Sequence, residues 1–225
     1  MKTKLVVCLV ASVAALLYSA AQNSPLQRGI SVQLAPSANA EAMPEADNPN
    51  AWIVTVTAEG VVYFGTDPVT SEGLYYKMKA HSRKLPKKLY VKADARAPYS
   101  SVERALAGAH AFFESVVLLT EHPEPVRPGS IVAPQGLEVQ ITAPAAGLKP
   151  SVELQAAAQG ALALTVNHEP VAWDALPRTL DSLLQDREKV VPMEVTGAVP
   201  FAQVIHVVDV CHPVGVRVVL PAPTL

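Results

Sequence analysis

Pro68-Val69-Thr70-Ser71-Glu72-Gly73-Leu74 returns 102 residues later as Pro170-Val171-Ala172-Trp173-Asp174-Ala175-Leu176. Working outward at the same offset, Met78 corresponds to Leu180, Val91 to Met193, Pro98-Tyr99 to Pro200-Phe201 and Val102 to Val204. Turn prolines and apolar helix positions recurring at one offset over more than 30 residues mark an internal repeat. The chain therefore reads as two copies of one small domain.

Each copy changes its hydrophobic period at the same points. Residues 30–34 (Ile-Ser-Val-Gln-Leu) alternate apolar and polar like a half-buried strand, and 137–141 (Leu-Glu-Val-Gln-Ile), again behind a glycine, are their second copy. Residues 52–57 and 61–64 form a hairpin around Glu59-Gly60; 152–156 and 162–166 repeat it around Gln159-Gly160, about two residues longer. From Ser71 the spacing becomes helical, with Leu74, Met78, His81 and Leu85 on one face and Leu176, Leu180 and Leu183 on its counterpart, where Pro177 belongs in the first turn. Strands 89–92 and 190–194 follow, with Pro86 and Gly197 marking turns nearby.

A second helix then opens at Pro98, with Ser100 and Glu103 placed for a capping box and Val102, Leu106, Ala109 and Phe113 as its buried stripe. Its counterpart opens at Pro200, with Val204, Val208 and Cys211. Apolar strands 115–119 and 214–220 close the copies, and residues 37–50 read as an exposed loop. The predicted fold is α/β (α+β): two tandem two-layer sandwiches, each a mixed sheet with two helices on one face in the order βββαβαβ. The domains run 25–122 and 131–223, joined by a Pro-rich linker at 123–130.

Half of the residues are hydrophobic and 17% charged, enough for two packed cores, and a net charge of -2 gives no case for nucleic acid. Residues 1–21 read as a leader: Lys2 and Lys4, an uncharged apolar run over 5–17, then small residues including Ser19 and Ala21. They form a signal peptide or a short membrane anchor over 5–21, and either way the bulk of the chain is exported. Cys8 lies in that leader, so Cys211 is a lone thiol and no intramolecular disulfide staples the mature chain.

Chemistry-bearing residues are sparse. Cys211-His212 could be a nucleophile pair, but neighbours at a helix end rarely face one another and no motif places an acidic orienter. The other histidines (81, 110, 122, 168 and 206) lack ligand spacing, the glycines are isolated turn residues, and no cofactor is predicted. His81 and His206 read as core-edge residues and Trp52 and Trp173 as packing residues. The uneven feature is charge: Lys77, Lys79, Arg83, Lys84, Lys87, Lys88 and Lys92 crowd one helix and strand of the first copy, whereas copy two mixes both signs there. They form either a solvated helix face or a docking face for an anionic partner.

The motifs Gly29-Ile30-Ser31-Val32-Gln33-Leu34, Glu59-Gly60, Pro68-Val69, Val91-Lys92-Ala93-Asp94 and Pro98-Tyr99-Ser100-Ser101-Val102, in that order, resemble the periplasmic domain of the ExbD/TolR family. The second copy is looser, with Glu194-Val195-Thr196 for Lys-Ala-Asp and Phe201 for Tyr99. The resemblance implies a non-catalytic module in proton-driven biopolymer transport or envelope energy transduction, with an ExbB/TolQ-type membrane protein or a TonB-like protein as partner. Family members have one periplasmic domain behind a membrane helix whose aspartate is proposed to carry the driving protons. Residues 5–21 hold no Asp or Glu, so proton conduction is not expected of this chain. The alternatives are an exported peptidoglycan- or ligand-binding protein that reuses the fold without a motor and, third, an enzyme.

Overall fold

The structure is a computed structural model that describes residues 29–82, 87–124, 126, 130–143, 150–157 and 161–223. The leader, Arg83, Lys84, Leu85, Pro86 and Gly160 lie outside these. The strands are β1 (Glu41–Ala42), β2 (Trp52–Val56), β3 (Val62–Phe64), β4 (Asp67–Pro68), β5 (Leu89–Ala93), β6 (Ser115–Thr120), β7 (Gln135–Thr142), β8 (Val152–Ala156), β9 (Leu162–Val166), β10 (Glu169–Pro170), β11 (Val190–Thr196) and β12 (Arg217–Pro221). The α-helices are α1 (Ser71–Ala80), α2 (Tyr99–Ala109), α3 (Leu176–Leu183) and α4 (Phe201–Cys211).

The strands form one 12-stranded mixed sheet in the order β10-β9-β8-β11-β12-β7-β6-β5-β2-β3-β4, with β1 beside β7. Read outward from β7, the strands run β6, β5, β2, β3, β4 on one side and β12, β11, β8, β9, β10 on the other, so each side has the last strand of its half, the fourth, the first, its hairpin partner and a two-residue edge. The strand registers follow the sequence offset: Tyr63 pairs with Pro68 as Thr165 pairs with Pro170, and Leu89 pairs with Val116 as Val191 pairs with Val218. Both edges end in proline, which removes a ladder donor and discourages further strand addition.

The four α-helices of the described residues lie on one face. Leu74 and Met78, Val102 and Leu106, Leu176 and Leu180, and Val204 and Val208 share a buried core with Val54, Val91, Leu118, Leu137, Leu154 and Leu220. The core runs unbroken beneath both halves, and each fully buried Leu in it contributes about 1.5–3 kcal/mol of transfer free energy. Gly108 lets α2 approach α1, since a Cβ there would stand 2.6 Å from the Ser71 carbonyl oxygen.

The halves meet at reciprocal contacts. The Tyr99 N–H donates to the Val199 carbonyl (2.9 Å) and the Phe201 N–H to the Ala97 carbonyl (2.8 Å), so residues 102 apart exchange bonds as across a local twofold. Each half thereby satisfies an orphan first-turn N–H of the other.

Several expectations are corrected. The capping box at Ser100 and Glu103 does not form: Pro98 is the N-cap and no side chain caps α2, its first donor being taken across the joint. Residues 30–34 alternate in exposure as their pattern predicts but enter no ladder, because β7 occupies the place beside β6. Residues 37–50 are no exposed loop, since they carry β1, a 3-10 turn (Pro44–Asp47) and buried Ser37, Met43 and Ala46. Leu183 is exposed and Leu184 takes the third core position of α3, as i, i+4, i+8 spacing requires. The second hairpin is longer by four residues, because Val56 pairs with Val62 where Leu154 pairs with Leu164. The closing strand begins only at Arg217, after a left-handed Gly215 (φ 72°).

Candidate functional site

Among the described residues no α-helix covers the opposite face of the sheet, and the two halves of that face differ. In the first half Tyr90, Val117 and Leu119 point there and are buried by Met43 and Ala46 of the segment that precedes β2, with Leu34, Ala51 and Ile53 at the rim. In the second half Glu153, Gln155, Thr165, Glu194 and Thr196 line a cavity of about 250 Å³ with Ala163 and His168. Glu153 accepts hydrogen bonds from Thr165 Oγ1 (3.0 Å) and pairs with His168 Nδ1, 2.8 Å from its nearer carboxylate oxygen. Register makes the contrast sharp: Lys92 pairs with Thr55 on the first side, whereas Glu194 pairs with Glu153 on the second.

The basic residues predicted as one face divide between the two sides of the sheet. Lys77 and Lys79 sit on α1, where Lys77 pairs with Asp67 (2.7 Å) and Lys79 lies 5.5 Å from the Tyr75 ring centre. Lys88 precedes β5 and pairs with Glu138 of β7 on the far face (2.8 Å), and Ser115 Oγ also donates to that carboxylate. The hydrogen bond raises the Lys88 pKa and lowers that of Glu138. Lys92 is half-buried on the same far face, and burial lowers its ammonium pKa. Lys87 is exposed, and Arg83 and Lys84 lie outside the described residues.

The Lys-Ala-Asp strand end has a structural task that its spacing did not announce. Asp94 is buried at the end of β5, where its carboxylate accepts the Arg96 Nε (2.9 Å), Arg96 Nη2 (3.0 Å), Arg96 N–H (3.0 Å) and Gln33 N–H (3.1 Å). The Arg96 guanidinium above all holds its carboxyl well below the usual carboxylate range, with the backbone donors adding to the effect. Gly60 is left-handed (φ 81°), and a Cβ there would strike Ser101 Oγ at 2.4 Å. The Glu59-Gly60 turn is thus docked against the start of α2.

Cys211 and His212 do not act together. Cys211 is fully buried and its thiol is pushed up to about 12, while His212 turns outward towards Glu41 (3.6 Å). His81 is exposed rather than core-edge: its Nδ1 bonds the Lys77 carbonyl and its ring meets Trp52 edge-on at 6.2 Å. Trp52 packs on Phe64 and Phe113, and Trp173 lies against an exposed His206. Among the described residues no group of three or more His, Cys, Asp or Glu is arranged to hold a metal ion, and no helix is long and apolar enough to cross a membrane.

Sequence reasoning missed Asp209. It projects from α4, is buried, and binds residues 37–39 of the other half. An acid near the end of an apolar helix was the available sign.

The family model described as Biopolymer transport protein ExbD/TolR matches residues 6–123, which include β1 to β6, α1 and α2. No curated protein and no solved structure matches the chain.

Proposed function

Because the chain belongs to the ExbD/TolR family, we propose that it is a non-catalytic periplasmic interaction module of a biopolymer-transport or envelope energy-transducing assembly, built as a tandem of two family units. The observation that carries the functional reading is the family match over more than half of the chain. The tandem reading is supported by the shared strand registers and the exchange of N–H···O bonds between 97–99 and 199–201. Its partners are an ExbB/TolQ-type membrane protein or a TonB-like protein, met through surfaces outside the membrane.

Residues 5–21 hold no Asp or Glu, the carboxylate that a proton relay of this kind needs in a low-dielectric core, so the contribution proposed for this chain lies outside the membrane. Its contribution is docking. Lys77 and Lys79 on α1, with Arg83, Lys84 and Lys87 following in sequence, supply positive charge on the first unit, which steers an anionic protein surface, whereas Lys88 and Lys92 lie on the far face and take no part. Export of residues 22–225 behind an unrelated cleavable signal peptide tests this: restoration of a deletion strain together with co-purification of an ExbB/TolQ-type protein supports a soluble module. Failure despite normal folding and export assigns residues 5–21 a working membrane role.

A second reading draws on the polar cavity over β8, β9 and β11, whose carboxylates, hydroxyls and amide suit a hydroxyl-rich or cationic cell-wall fragment. Peptidoglycan pull-down that depends on Glu153 and Glu194, without any membrane partner, would favour it.

A further inference from the structure

The segment 33–46 touches both halves in succession. Ala95 N–H donates to the Gln33 carbonyl (2.7 Å) and Glu121 N–H to that of Ala35 (2.8 Å), which binds the segment to the first half. It then crosses to α4, where Asp209 Oδ1 accepts Ser37 Oγ (2.5 Å) and the Asn39 N–H (2.8 Å), Oδ2 accepts the Ala38 N–H (3.1 Å), and the Asn39 amide donates to the Asp209 carbonyl (3.1 Å). Beyond it, Glu41 and Ala42 pair with Gly136 and Gln135 of β7, and the Met43 N–H donates to the Pro134 carbonyl (2.6 Å). Met43 and Ala46 finally cover Tyr90, Val117 and Leu119.

Asp209 is an expensive residue to place here. It is buried in the last turn of α4, where the helix dipole opposes an anion, and the donors to its carboxylate are the neutral groups of residues 37–39. When the segment leaves, the Asp209 carboxylate gives up the hydrogen bonds from Ser37, Ala38 and Asn39 together. We propose that Asp209 is the latch of a releasable strap: residues 37–46 clasp the two halves across their joint and hide Tyr90, Val117, Leu119 and the β7 edge at Gln135 and Gly136, all of which open together when the latch lets go. The strap needs no particular partner to exist, so this inference stands apart from the docking role proposed above.

Hydrogen–deuterium exchange of the full chain tests it with Asp209→Asn, which keeps the shape but turns an amide N–H₂ towards backbone donors, and with Ser37→Ala as the milder variant. Loss of hydrogen bonds to a charged group should raise exchange at 38, 39 and 43 by about ten- to a hundred-fold in Asp209→Asn and less in Ser37→Ala. A thiol probe adds a control: in a Cys8→Ser, Met43→Cys background, Asp209→Asn should speed labelling at position 43 while buried Cys211 stays silent. Unchanged exchange and labelling in both variants would overturn the latch. Labelling of Cys211 and loss of protection throughout α4 and β12 would show instead that Asp209 holds up the second half as a whole.

Discussion

Residues 29–34 and 136–141 carry nearly the same pattern, Gly-Ile-Ser-Val-Gln-Leu against Gly-Leu-Glu-Val-Gln-Ile, and meet opposite fates. The second lies within β7, paired antiparallel with β6 and parallel with β12, with Leu137, Val139 and Ile141 in the core. The first keeps its alternation of exposure yet joins no ladder and runs past the ends of β5 and β6, held by Asp94, Ala95 and Glu121. A strand pattern states which face can be buried; a ladder also requires a vacant neighbour, and one strand fills the place between β6 and β12. β7 is the joint between the halves, whereas 29–34 is the start of the strap.

The sharpest way to break this comparison is to cut both segments alike. Leu137→Ala should destabilise the protein by roughly 2–5 kcal/mol, because it opens a cavity under the central strand, whereas half-buried Ile30→Ala should cost well under that. Urea denaturation of the two variants checks it, and equal losses would mean that 29–34 is as structural as β7.

Next in size is Asp94, which holds the displaced segment. Asp94→Ala leaves the Gln33 and Arg96 N–H groups without their acceptor and should cost about 1–3 kcal/mol. The sign with pH follows from a folded-state pKa below the unfolded one: the contribution is complete above the unfolded value of about 3.9 and declines as pH falls from there towards the folded value. Thermal unfolding of wild type and variant should therefore diverge at pH 6 and converge in strong acid.

The two glycines give a third test. Gly136→Ala would put a Cβ 2.6 Å from Val117 Cγ1 and 3.0 Å from the Leu118 carbonyl, an overpacking worth roughly 1–3 kcal/mol, while Gly29 has nothing within 4 Å and its substitution should be nearly silent. The smallest effect belongs to the rim of β7. The Lys88–Glu138 pair is partly exposed on both sides, so Lys88→Ala should change stability by about 0–1 kcal/mol and less at high salt. A larger loss would show that this pair, rather than apolar packing, holds β7 in place.

Much of the fold was legible because it rests on local periodicity. The stripe Val102, Leu106, Ala109 and Phe113 is buried as spacing required, Pro177 lies in the first turn of α3, and the hairpin strands β2–β3 and β8–β9 follow from turn residues and alternation. The far-face chemistry was not. Lys77 and Lys92 are close in sequence but lie on opposite sides of the sheet, since period 3.6 on α1 and period 2 on β5 send them apart. Asp209 reads alone as a polar interruption of an apolar helix, and its partners lie 170–172 residues away.

The sequence by itself determined the mixed α/β class and the apolar stripes of the helices, because side-chain periodicity and composition act over a few turns of chain. Only the tertiary structure decided which of two equivalent segments became β7, how each half supplies a first-turn hydrogen bond to the other, and which acid anchors the strap. Those outcomes depend on competition for one ladder position and on donors meeting acceptors across the joint, and neither is a property of any short stretch of residues.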